Sequence, residues 1–175
     1  GVGLVGSEMC IRDRGSIITV FMLSLSLGYL LGGRLSVNNP SLQRFAAIFA
    51  LGAVLLYPLI LFAEPVMEFI FLRIEDPRYG SLMASAFLFI LPTVILGMIS
   101  PYSVRLLVTK VEESGQVAGT LYFVSTLGSA IGTLMTSFYF ILWFEVNTVL
   151  TLLTVVLLVV TGVAMLAARR SSKSR

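Results

Sequence analysis

The sequence predicts an all-α protein, a polytopic bundle of about five transmembrane helices. Three observations carry this. First, 57% of the 175 residues are hydrophobic and 12% are charged, whereas a soluble domain carries about a quarter charged residues and needs them to coat its surface. Second, the mean hydropathy is +0.98. Third, the apolar residues fall into runs separated by short polar joints, with no alternation of the kind a strand requires. A helix rising about 1.5 Å per residue needs roughly 20 apolar residues to cross the hydrocarbon core. Five such runs use nearly the whole chain. Among open-ended structures, only helices satisfy every backbone group in lipid.

The first 14 residues, GVGLVGSEMCIRDR, differ in character from the rest, holding the single Cys and mixed charges without a hydrophobic period. Within them VGSEMCIRDR resembles translated sequencing-adapter read-through, and residues 1–14 are expected to be an unstructured artefactual leader. Gly1, Gly3 and Gly6 match the spacing of a dinucleotide fingerprint. The strand before and the helix after that its mechanism requires are both missing from the pattern.

The transmembrane domain is expected over residues 15–168, with spans at 16–33, 45–63, 81–100, about 117–142, and 146–168. The joint at 64–80 reads as a short amphipathic helix lying in the interface and ended by Asp76-Pro77. A similar segment is expected at 102–113. Pro92 and Pro101, with Gly97 between them, predict a kinked or broken third span, because each proline removes a backbone hydrogen bond.

Cytoplasmic loops retain Lys and Arg. Arg34 and Arg44, Arg105 and Lys110, and Arg169, Arg170, Lys173 and Arg175 in the basic tail at 169–175 all fall on one side of the five spans. The other side has Arg73 and Arg78 among Glu64, Glu68, Glu75 and Asp76, and then Glu145. The first set and the C-terminus are therefore expected in the cytoplasm of a cell with an inner membrane. Tyr29, Tyr79, Tyr139, Trp143 and Phe144, near span ends, fit an interfacial aromatic belt.

Several functions are excluded or disfavoured. With no His and one Cys, neither a zinc or haem site built on those ligands nor an intrachain disulfide can form. The net charge of +3 is spread singly between spans, which gives no nucleic-acid stripe. None of the five expected spans contains a charged residue, so no intramembrane proton relay or ion pair can be built from them. There is no nucleophile beside a base, no phosphate loop and no call for a cofactor. What the spans do hold is small residues at helical spacing: Ser24, Gly28 and Gly32 in the first, Ser125, Gly128 and Gly132 in the fourth. Such stripes let backbones approach closely, in helix packing or in an oligomer, and a substrate groove is the alternative.

Three stretches carry a resemblance. They are SLGYLLGGRL at 26–35, LGMISPYSVRLL at 96–107 and GQVAGTLYFVSTLGSAIGT at 115–133. In that order they resemble the membrane domain of bacterial spermidine-synthase-like proteins, often described as fused major-facilitator and spermidine synthase proteins. The resemblance implies a major-facilitator-like bundle and, as partner, a cytoplasmic aminopropyltransferase-like domain or subunit. It also implies a helix before Ser16 and a catalytic domain beyond Arg175, so the chain reads as a piece of a longer protein with no catalytic residue of its own. Gly97, Ser100, Pro101 and Arg105 are the motif positions at the end of span three, and Tyr122, Ser125, Gly128 and Gly132 are expected to pack beside them. A major-facilitator-like transporter for a polyamine-like solute is the competing reading.

Overall fold

The computed structural model describes residues 2–37, 40–74, 76–108 and 110–173. Among them there are helices and no strand. The principal helices are α1 (Val2–Val37), α2 (Leu42–Arg73), α3 (Pro77–Gly97), α4 (Ile99–Leu107), α5 (Ser114–Met135), α6 (Ile141–Trp143) and α7 (Val146–Lys173). Five helical segments are long and apolar enough to cross a membrane: Ile17–Val37, Leu42–Arg73, Tyr79–Leu107, Val111–Trp143 and Val146–Arg170. The chain is a multi-pass membrane protein. Glu75 and Arg175, used above in assigning sides, lie outside the described residues.

Residues 2–14 are helical and continue into the first span without a break, in place of the unstructured leader expected there. No proline occurs before Pro40, and Leu4, Glu8, Met9, Arg12 and Arg14 are good helix formers, so nothing in this stretch stops a helix that the span behind it has nucleated.

α2 begins at a Ser41 cap in extended conformation, whose hydroxyl accepts the Arg44 N–H at 3.2 Å. This satisfies one of the donors a helix start leaves open. α2 then runs through Pro58 and Pro65 to Arg73. The separate interfacial helix expected at 64–80 is therefore divided between two spans: residues 64–73 are nearly the last three turns of α2, and Pro77 begins α3. Each proline costs one backbone bond, and the helix absorbs both losses because the flanking turns remain bonded. Arg73 folds back over the Phe69 ring at 5.1 Å from its centroid, a cation–π contact at the end of the span.

The third span breaks, as its prolines predict. α3 stops at Gly97 and α4 resumes at Ile99. The Met98 N–H is shared between the carbonyls of Val94 and Ile95, both at 3.2 Å, and Pro101 has no N–H to offer Gly97. α4 ends at Leu107, short of the 102–113 expected, and a three-ten turn at Val111–Glu113 leads into α5. The fourth span holds a wide π-helical turn at Thr136–Phe140, in which the Ile141 N–H reaches the Thr136 carbonyl.

The helices are not packed evenly. α3 lies against α1 and α2, and α2 also carries α7. Ala53, Leu56 and Leu59 of α2, Leu88 of α3 and Leu157 of α7 form the buried core. On α7 the buried residues Thr154, Leu157, Thr161 and Ala168 recur at helical spacing and make one seam. In lipid there is little hydrophobic gain in pairing two helices, so close packing and shape hold such seams together. α5 stands apart. It leans on α4 near the joint between them, and none of the best apolar window of its span is buried, against 44% for the third span.

Candidate functional site

The first two motif stretches meet. A Cβ placed on Gly28 would press into the Val94 carbonyl oxygen and stand 2.9 Å from the Gly97 Cα. One turn on, a Cβ on Gly32 would stand 2.6 Å from the Met98 carbonyl oxygen, 2.7 Å from the Met98 Cα and 2.9 Å from the Pro101 Cγ. Seen from the other helix, a Cβ on Gly97 would lie 3.2 Å from the Leu25 carbonyl oxygen and 3.3 Å from the Gly28 Cα. Here α1 and the α3–α4 break touch backbone to backbone, which only glycine allows. Ser24, a turn before Gly28, is 1% exposed. Its hydroxyl donates to the Val20 carbonyl at 2.6 Å, so it enters the seam with its polarity spent. Phe21 and Phe89 extend the same contact, ring centroids 5.2 Å apart.

A second contact locks the same end, through a residue that sequence reasoning left inside a motif without a role. Tyr102 of α4 is fully buried. Its hydroxyl accepts the Ser41 N–H at 3.0 Å and donates to the Ser41 carbonyl at 3.2 Å. Its ring stacks on Phe45 at 5.9 Å, with the planes 13° apart. One side chain thus ties α4 to the first turn of α2. The signal available in the sequence was a tyrosine following Pro101, which reads equally well as part of an interfacial belt.

Ser100 and Pro101 are half-buried beside these contacts, and Arg105 is exposed. The other four expected partners are elsewhere. Tyr122, Ser125, Gly128 and Gly132 lie on α5, all exposed, and a Cβ on either glycine would meet nothing within 4 Å. They do not pack beside Gly97 and Pro101. The place expected for them is taken by α1, whose stripe has the same spacing, while α5 is held off by the turn at Val111–Glu113. Gly128→Leu is accordingly expected to change stability by less than about 0.5 kcal/mol, measured by thermal unfolding of the purified protein in detergent.

The site offers packing rather than chemistry. The hydroxyls of Ser24, Ser26 and Ser103 all donate to carbonyls of their own helices, and no group of three or more Cys, Asp or Glu gathers among the described residues. The two contacts do set an electrostatic boundary. By joining Gly32 to Pro101 and Ser41 to Tyr102, they bring the ends of α1, α2 and α4 that carry Arg34, Arg44 and Arg105 to one end of the bundle. No protein family, curated protein or solved structure matches the chain.

Proposed function

We propose that the chain is the membrane module of a spermidine-synthase-like protein, and that it holds an aminopropyltransferase-like domain or subunit at the cytoplasmic face of the inner membrane. The observation that carries this reading is the interlock of two stretches of the resemblance, Gly28 and Gly32 against Gly97, Met98 and Pro101. It makes a rigid corner at the basic end. Arg34, Arg44 and Arg105 at that corner favour a cytoplasmic placement. A permease is the second reading, favoured by the break at Met98, since broken helices line binding sites in some transporters. Against it, the break is filled by α1 at backbone contact, which leaves no passage there.

Two measurements test the proposal. Proteoliposomes containing the protein are expected to take up no more labelled spermidine than empty liposomes, and the protein alone is expected to catalyse no aminopropyl transfer. Spermidine uptake that Gly128→Leu abolishes would replace the anchoring role with transport. Orientation is read separately: with Cys10→Ser removing the native thiol, Arg105→Cys should react with an impermeant maleimide in inverted vesicles and not in intact spheroplasts.

A further inference from the structure

α2 and α3 pack together, and beside their contact runs a groove of about 350 Å³, within the usual range for a ligand pocket. Phe87, Leu88, Leu91 and Pro92 form its α3 wall, and residues between Leu55 and Val66 form its α2 wall. Phe62, Phe87 and Leu91 are exposed, so the groove opens sideways toward the acyl chains. Every lining side chain is a hydrocarbon, yet a small part of the wall is polar. That part is backbone. In a helix each carbonyl accepts the N–H four residues on. Of the lining residues, only Leu88 is followed at that distance by a proline, Pro92, and α3 runs through this proline as helix. The Leu88 carbonyl therefore lacks its regular donor, and the two residues on either side of it both line the groove. Both lie in the interior of the Tyr79–Leu107 span, where water is scarce and an unmet backbone group is costly.

We propose that this groove binds a neutral lipid alcohol, a molecule with a hydrocarbon body and one hydroxyl, whose hydroxyl donates to the Leu88 carbonyl. The walls set the rest of the chemistry. They hold no charged or polar side chain, so an ion would enter without a partner and at high cost. A phospholipid headgroup stays at the interface and brings no donor to this depth. An acyl chain would cover the walls and leave the carbonyl as it was. A hydroxyl on an otherwise apolar molecule meets both demands, since it carries little desolvation penalty and supplies the one hydrogen bond that Pro92 withholds. The site is independent of any aminopropyltransferase partner.

The test is photolabelling of the protein in phosphatidylcholine liposomes with 3-azioctanol and, separately, with 3-azioctane, which has the same diazirine and chain but no hydroxyl. Labelled residues are mapped by mass spectrometry, and labelling of the groove is divided by that of the exposed residues of α5, which corrects for how each probe partitions into the bilayer. The alcohol is expected to favour the groove about fivefold over the alkane, as one net hydrogen bond would give. Pro92→Ala returns an N–H to the Leu88 carbonyl and is expected to erase that preference while the alkane labels as before. Leu55→Trp with Leu91→Trp, one change on each wall and neither at a fully buried position, fills the groove and is expected to remove the label. Equal labelling by the two probes, the result for a groove that takes an ordinary acyl chain, overturns the proposal. So does a preference that survives Pro92→Ala, or a label that survives the groove-filling pair.

Discussion

Gly28→Leu is expected to separate α1 from α3 and leave little of the protein as a monodisperse species in detergent. The added side chain has no direction in which to yield. The atoms it meets first are the Val94 carbonyl oxygen and the Gly97 Cα and carbonyl carbon, all backbone, and backbone of a hydrogen-bonded helix cannot rotate aside as a side-chain tip does. Overpacking in a core with flexible neighbours costs about 1–3 kcal/mol, and here the cost is expected at roughly 3 kcal/mol or more. Steric-trap unfolding in a bilayer mimic would measure it. Gly97→Leu should behave alike, since the two residues face each other across the same gap. The informative comparison is Gly128→Leu, the same chemical change at the same kind of motif, expected to be silent. Equal losses from both would mean that α5 packs against something in the folded protein.

Tyr102→Ala is expected to be the second most damaging single change. It removes a fully buried aromatic ring together with its stack on Phe45, for which ring deletion costs about 3–5 kcal/mol in a well-packed setting. Tyr102→Phe separates the two contributions. It keeps the ring and deletes the hydroxyl, leaving the Ser41 N–H without the acceptor it has at 3.0 Å. The Ser41 carbonyl still accepts the Phe45 N–H at 3.1 Å. An orphaned donor costs about 1–3 kcal/mol, so the phenylalanine variant should lose part of what the alanine variant loses. Hydrogen exchange at the first turn of α2 reads this directly, with faster exchange expected at Ser41 and Arg44 in both variants.

The five spans were legible because their signal is additive: run length and missing charge survive any uncertainty about neighbours. The break near Gly97 was legible for a similarly local reason, Pro101 having no N–H. Partner choice was not local. Gly28 with Gly32 and Gly128 with Gly132 carry the same motif, and nothing in either stripe says which will be covered. The sequence reading placed α5 against the end of the third span, where the structure places α1. Tyr102 was obscured by the same limit. Its burial depends on Ser41, 61 residues earlier in the chain, and no periodicity connects the two. The end of α2 was misread because Glu64 and Pro65 look like a boundary, although a helix already bonded on both sides passes through them.

The wide turn at Thr136–Phe140 sets the direction in which the aromatic end of the fourth span faces. In a regular helix Thr136 and Phe140 would carry on the line of Gly128 and Gly132. By bonding Ile141 to Thr136 rather than to Ser137, the chain takes up one extra residue and turns everything after it by about 100° relative to an uninterrupted helix. Trp143 therefore ends on a different bearing from the one its spacing to Gly128 implies. Removing one residue from this turn should restore the regular count without shortening any hydrogen-bonded segment. It would swing Trp143 round the axis, so the fluorescence of this single tryptophan serves as a compass for the turn, with quenching by lipid-borne groups reporting the new heading.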